Sequence, residues 1–295
     1  MNIDIYPKFR ELKTSDAAVF NRAFKDNPPM ISEFTFTNLY SWRRAYSLRV
    51  SLFDGLIILC SESESRKRFF NPVGKGDIKA AVEKIFKDSG GIFFRLPEEA
   101  RALFAEDKRF RIEPDRDSWD YLYSASDLIN LPGRKYDGKR NLIKKFKSER
   151  AYEYIILDAG NAASCLDFEE AWCSVKNCDK VEGLSQEKRA IKDMVENFSS
   201  FGLIGAAIQI NGVIRALVIA QELNPDTMVM HILKADPAIS GLYQTILQEF
   251  LSRAGVSFRY VNMEQDLGIE GLRKAKLSYH PCSMINKYTL SLFEQ

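Results

Sequence analysis

The sequence is short of the residues that usually hold metals. It has two histidines, His231 and His280, and five cysteines with no CxxC pair among them. Too few imidazoles and no paired thiolates argue against a zinc site, so no metal is expected. The cysteines (Cys60, Cys165, Cys173, Cys178 and Cys282) are odd in number, which reads as reduced thiols, and three of them lie in or beside one helix as packing residues. Long apolar runs are also missing. Leu203–Ile208 and Ala216–Ala220 are far too short to span a bilayer, and MNIDIYPKFREL lacks the basic-then-apolar order of a signal peptide. No transmembrane segment and a cytoplasmic location are therefore expected. Excess charge is absent too. Forty-two basic and 40 acidic side chains leave +2, so affinity for nucleic acid or membrane must come from a local patch. Gly74-Lys75-Gly76-Asp77 lacks the spacing and hydroxyl of a phosphate-binding P-loop, and no Ser–His or Cys–His pair can be argued from spacing.

What is present is an ordinary globular composition, 45% hydrophobic and 28% charged, in a chain of 295 residues. That length suits one large domain or two of usual size. The first half reads as a short strand near Ile3–Tyr6, a helix from Ser15, and an aromatic segment Phe34–Tyr46 whose rings read as core. Strands Leu48–Phe53 and Leu56–Cys60 flank Asp54-Gly55, a hairpin signal. A third strand closing on Phe69-Phe70 precedes a glycine turn, Val73-Gly74-Lys75-Gly76, and a helix with Ile78, Val82, Ile85 and Phe86 inward. A strand over Gly91–Leu96, a helix over Glu98–Ala105 and a closing strand pair near Phe110–Ile112 and Trp119–Tyr123 complete the half.

The second half repeats the order: strand Tyr152–Leu157, helices Cys165–Lys176 and Ser185–Phe201, and strands Leu203–Ile210 and Val213–Glu222 across Asn211-Gly212. Strand Met228–Leu233 leads through Ile239-Ser240-Gly241-Leu242 into the helix Leu242–Ala254, and strands near Cys282–Asn286 and Lys287–Leu292 close as a second terminal hairpin. Tyr121-Leu122-Tyr123-Ser124 matches Tyr288-Thr289-Leu290-Ser291, each following an X-Pro step, Glu113-Pro114 or His280-Pro281. These correspondences suggest an internal duplication. The expected division is 1–130, a basic linker helix over 131–150, and 151–295. The linker, LPGRKYDGKRNLIKKFKSER, carries eight basic residues against two acidic ones. Its helix buries Leu142, Ile143 and Phe146, with Lys139 above that face and Arg140, Lys144 and Lys147 in a neighbouring stripe.

Val261–Pro281 concentrates the polar signal. A strand ends in Glu264 and Asp266, breaks at Gly268, and gives way to a short helix whose apolar face is Ile269, Leu272 and Leu277. Arg273 and Lys276 fall within that face, and inward cations need partners, for which the two carboxylates are nearest. The first repeat's counterpart, Arg95-Leu96-Pro97-Glu98, holds no such cluster.

The element order, with a glycine turn into the central helix of each half, resembles the GNAT acyltransferase fold. In that fold the turn's N–H groups and helix dipole hold an acyl donor's pyrophosphate. Three stretches, Ser32–Arg43 (SEFTFTNLYSWR), Leu131–Phe146 and Asn262–Tyr279, are similar to the family related to the C-terminal domain of phosphatidylglycerol lysyltransferase. The resemblance covers essentially the whole chain. It implies an α/β (α+β) fold of two tandem GNAT-like domains, each a mixed, mostly antiparallel sheet flanked by helices, related to Fem transferases that use aminoacyl-tRNA.

Acyl transfer needs a base for the acceptor, stabilisation of the tetrahedral oxyanion, and a grip on the donor's phosphates. Glu264 or Asp266 is the candidate base, with Glu222 a further one. Arg273 or Lys276 would orient that carboxylate or meet the oxyanion; the alternative is a salt-bridge cluster that pins strand to helix. Lys139, Arg140, Lys144, Lys234, Gly241 and Tyr243 are the donor-binding candidates, against a solvated basic linker and ordinary surface and core. Three functions stay open: aminoacyl transfer from aminoacyl-tRNA to a small-molecule or cell-envelope precursor, CoA-dependent N-acetylation, and a non-catalytic RNA- or anion-binding module.

Overall fold

Asp54-Gly55 and Asn211-Gly212 both turn with two consecutive positive φ angles, 47° and 79° in the first, 51° and 75° in the second. That is the geometry of two-residue hairpins, for which Asp-Gly and Asn-Gly are suited. The computed structural model describes residues 3–62, 67–176 and 182–293. The chain forms two units, each discontinuous in sequence. The first comprises Met1–Asp120, Gln265–Arg273 and Met284–Gln295, and the second Tyr121–Glu264 and Lys274–Ser283.

The first unit runs β1 (Arg10–Glu11), α1 (Ala17–Asp26), α2 (Phe36–Ser41), β2 (Leu48–Phe53), β3 (Leu56–Glu62), β4 (Lys67–Phe69), β5 (Val73–Gly74), α3 (Ile78–Ser89), β6 (Ile92–Leu96), α4 (Glu98–Ala102) and β7 (Phe110–Pro114). The chain continues through β8 (Asp120–Ser124), α5 (Ala125–Asn130), α6 (Asp137–Glu149), β9 (Glu153–Leu157), α7 (Cys165–Lys176), α8 (Glu182–Glu196), β10 (Ile204–Ile210), β11 (Val213–Asn224), β12 (Thr227–Ala235), α9 (Leu242–Ala254) and β13 (Tyr260–Asn262). It ends in α10 (Glu270–Leu277), β14 (Ser283–Ile285) and β15 (Tyr288–Leu292).

In the first sheet the order is β1-β2-β3-β4-β6-β15-β7, with β5 on β3. Asp77 caps α3 by accepting the Ala80 N–H at 2.9 Å. That helix buries Ala81, Val82, Ile85 and Phe86 in a core with Phe69, Phe93, Phe110 and Leu290. In the second sheet, the order β8-β13-β12-β11-β10-β9 places the long strand β11 beside β12. All pairs in that run are antiparallel except β12 with β13. The first sheet has the same step, since β4 and β6 are parallel across α3 as β12 and β13 are across α9. Two mixed sheets flanked by helices, each with one strand–helix–parallel strand step, make the two GNAT-like units that the sequence suggested.

Three expectations need correction. The paired closing strands are not hairpins: β15 pairs β6 and β7, while β8 pairs β13. Neither connection contains the positive-φ pair that a two-residue hairpin needs. The apolar face assigned to α10 is open, with Ile269 56% and Leu277 47% exposed, because the helix is held through its cations instead. Finally, Cys173 is disulfide-bonded, while Cys60, Cys165 and Cys282 are free thiols. Cys178 lies outside the described residues.

Candidate functional site

The pairing of β12 with β13 covers only Thr227–Tyr260, Met228–Val261 and Val229–Asn262. Beyond Val229, β12 runs on to Ala235 while the partner chain turns away, so the two strands part. β12 also bulges there. Ile219 faces Ile232 and Ala220 faces Met230, which leaves His231 as the extra residue. A bulge removes that residue from the regular ladder and re-aims its side chain.

His231 is aimed at Glu264. Its Nδ1 lies 2.9 Å from the Glu264 carboxylate, and its Nε2 lies 3.1 Å from the Gln221 side-chain oxygen. A carboxylate only accepts, so Nδ1 carries the proton of the first bond. At Nε2 the ring accepts when Gln221 presents its NH2 and donates when it presents its oxygen; the imidazole is neutral in one case and charged in the other. The imidazole is enclosed, with a side-chain exposure of 1%, whereas the Glu264 carboxylate is 17% exposed. Glu264 is therefore the more open side of the pair.

Its conformation is imposed. Asn262, fully buried, accepts the Glu264 N–H at 2.8 Å through its side chain, and Glu264 takes φ +57°. A non-glycine residue in that region is uncommon and is held by its surroundings. The Tyr121 N–H also donates to the Glu264 carbonyl, at 3.2 Å. Lys276 donates to the Met263 carbonyl and, at 3.4 Å, to the Glu264 carbonyl. The Tyr123 hydroxyl in turn donates to the Lys276 carbonyl at 2.8 Å. The ammonium expected beside a carboxylate thus holds the backbone that carries one.

Asp266 and Arg273, in the first unit, form the other half of the predicted cluster. Arg273 meets the fully buried Asp266 with two bonds, Nε at 2.9 Å and Nη2 at 2.8 Å, and reaches Asp117 at 2.7 Å. Asp266 also accepts from Arg116 at 3.3 Å and from the Gly268 N–H at 2.9 Å. Two-pronged Arg–carboxylate pairing is strong and geometrically specific. The two carboxylates thus differ, Asp266 sealed among donors and Glu264 partly open. Glu222 is exposed at the far end of β11; its neighbour Gln221 makes the contact with His231.

The donor-binding candidates are mostly engaged elsewhere. Lys234 is buried between Glu169 (2.8 Å) and Glu187 (2.7 Å), with its ammonium 4.0 Å from the centre of the Trp172 ring. Gly241 has φ +84°, and a Cβ there would lie 2.4 Å from the Leu142 carbonyl oxygen of α6. Its lack of a side chain lets α6 close over the turn. Tyr243 is half-buried, with its phenol pushed up to about 12 by burial. Arg140 ties the Leu131 and Gly133 carbonyls to Asp137. Lys139 donates to Ser278 at 2.8 Å and lies 4.1 Å over the Tyr279 ring, and burial lowers its pKa. Lys144 is exposed.

The expectation that the first unit lacks a comparable cluster is wrong. Lys287, fully buried, donates to Glu33 and Asp120 at 2.6 Å each, and Arg95 pairs with Glu33. Asp120 further accepts the Ser32 N–H at 2.7 Å and its hydroxyl at 2.9 Å. Burial alone would raise the Glu33 carboxyl, but Lys287 and Arg95 outweigh it and hold it at about 2. Lone charges inside apolar strand segments, Asp120 in WDYLY and Lys287 in MINKYTL, were the available signal.

Among the described residues, no helix is long and apolar enough to cross a membrane. None of their His, Cys, Asp and Glu side chains group in threes to hold a metal. A search of curated proteins found no match. A conserved protein of unknown function from Bacteroides thetaiotaomicron VPI-5482 is 35% identical, with 96% of this chain and 99% of that one covered at TM-score 0.89. L-PGS from Bacillus licheniformis is 14% identical, with 100% and 95% covered at TM-score 0.65. FemX is 6% identical, with 96% of each covered at TM-score 0.58. At such identities the last two show a shared fold. The model of the family described as "Phosphatidylglycerol lysyltransferase, C-terminal" matches residues 26–291, and this chain belongs to that family.

Proposed function

We propose that this chain is an acyltransferase that moves an aminoacyl group from aminoacyl-tRNA to a small-molecule or cell-envelope precursor, with its reaction centre in the second unit. The observation that carries the reading is the His231–Glu264 pair where β12 and β13 part. Glu264 takes the proton from the acceptor's hydroxyl or amine as that atom attacks the aminoacyl carbonyl. The new ester or amide bond forms, the bond to the tRNA ribose oxygen breaks, and the proton passes to that oxygen. His231 and Gln221 fix the carboxylate's orientation, and Asn262 fixes its backbone. The bulge at His231 supplies backbone freed from the regular ladder, close to the base, where an oxyanion can be met. Asp266 and Arg273 act as a structural pin.

The family's description names lysyl transfer, which favours an aminoacyl donor. An acyl-CoA donor has less support, since Gly241 serves the packing of α6 and Lys234 is already paired. The test mixes the purified protein with tRNA charged with labelled amino acids and with lipid and peptide precursors. Label should leave the tRNA for an acceptor, and Glu264→Gln should slow transfer by about 10²–10⁴-fold with an unchanged melting temperature. Transfer at the wild-type rate by Glu264→Gln refutes the assignment of the base. Cleavage of acetyl-CoA with the charged tRNA left intact refutes the donor.

A further inference from the structure

Arg68, on β4, is a half-buried cation of the first unit with no ion pair among the described residues. Its guanidinium carbon lies 4.3 Å from the centre of the Phe94 ring. Its Nε is buried without a hydrogen-bond partner. Among the described residues no carboxylate lies within ion-pair distance of it. Arg95 approaches the same ring, at 6.0 Å, and the Tyr46 ring at 6.0 Å.

Two carboxylates of the neighbouring cluster are already spent. Glu33 serves Lys287 and Arg95, and Asp120 serves Lys287 and Ser32. Gln265, with its amide turned to satisfy both ends, donates to Asp120 and accepts from Arg95, each at 3.1 Å. Arg95 and Lys287 are thus paired with these two carboxylates, and Arg68 is left without an ion pair among the described residues. Burial and the Arg95 charge both lower its pKa, while Asp115 and Tyr46 act in the opposite sense from beyond bonding distance.

A guanidinium stacked on a ring keeps its plane fixed, and its fork of donors suits the paired oxygens of a phosphate or carboxylate. We propose that Arg68 and Arg95 form an oxyanion-binding site in the first unit, which takes the phosphate or carboxylate of a small molecule. The aromatic floor of Phe94 and the missing partner at Nε are the features that recognise it. The site is independent of the reaction centre assigned to the second unit and stands or falls separately.

The test is isothermal titration of the full chain with inorganic phosphate, pyrophosphate and acetate at constant ionic strength, repeated on Arg68→Met and Arg68→Lys. Wild type should bind at least one probe saturably. Arg68→Met should weaken that binding by about tenfold or more, because hydrogen bonds to a charged group are lost. Arg68→Lys, which keeps the charge without the fork, should bind between the two. Tight phosphate or pyrophosphate with weak acetate identifies a phosphate site, and the reverse identifies a carboxylate site. No saturable binding of any probe by wild type overturns the proposal even if a variant fails to fold. Equal binding by wild type and Arg68→Met overturns it as well.

Discussion

Each unit buries one lysine between two carboxylates, and the two clusters are balanced differently. Lys287 in the first unit meets Glu33 and Asp120, and Arg95 supplies a second positive charge. Lys234 in the second meets Glu169 and Glu187 and packs on the face of Trp172. The carboxyl groups respond in opposite directions. Glu33 is held at about 2, whereas burial raises Glu169 despite Lys234, with Glu187 adding to the rise. Desolvation acts on both; Lys287 and Arg95 together outweigh it at Glu33, whereas at Glu169 the pull of Lys234 and Lys188 does not, and the Glu187 charge adds to the rise.

The largest effect should come from breaking the first cluster. Glu33→Gln leaves Arg95 and Lys287 with one carboxylate between them, and removing one partner of a buried pair costs about 3–5 kcal/mol. Urea unfolding should show a lower midpoint with an unchanged slope. An unchanged midpoint would mean that the network adds nothing to stability.

Acid sharpens the contrast. Glu33 binds its proton less readily folded than unfolded, so its contribution is complete above its ordinary 4.5 and is lost as pH falls from there to about 2. Glu169 runs the other way: its raised folded value means stability falls as pH climbs through the interval above its ordinary 4.5. The urea midpoint of wild type should drop between pH 4.5 and about 2, and Glu33→Gln should flatten that drop. A drop of the same size in the variant would assign acid sensitivity to other groups.

The smallest effect should follow from relieving the second cluster. Glu187→Gln removes one of its two negative charges, and the Glu187 side chain is 27% exposed. The cost should be about 1 kcal/mol or less, and the Glu169 carboxyl should move down, as read by carbon-13 NMR. A loss as large as that of Glu33→Gln would make the two clusters equivalent after all.

Local chemistry was legible in the sequence, and tertiary pairing was not. The two Gly-containing hairpins and the helix Cys165–Lys176 follow from neighbours a few residues apart. Glu264 stood out because a carboxylate closes a strand. Its partner His231 is 33 positions earlier, beyond α9, and only the fold supplies that contact. The same limit hid Lys287, whose partner Glu33 is 254 positions away. The family-like stretch Ser32–Arg43 contained Glu33 and Ser32, but nothing local gave them a role. On α10, periodicity pointed to an apolar face, and the ionic anchoring of Arg273 and the carbonyl contacts of Lys276 prevailed.

The place of β15 has a consequence for the order in which the chain can fold. Tyr288–Leu292 lies between β6 and β7, so a strand made after the whole second unit completes the interior of the first sheet. While the ribosome is still making residues 121–287, β6 and β7 each expose an unpaired edge that invites wrong pairing. Lys287 arrives with that strand, so Glu33 and Asp120 also wait for their shared cation. The first sheet is thus begun before the second and finished after it.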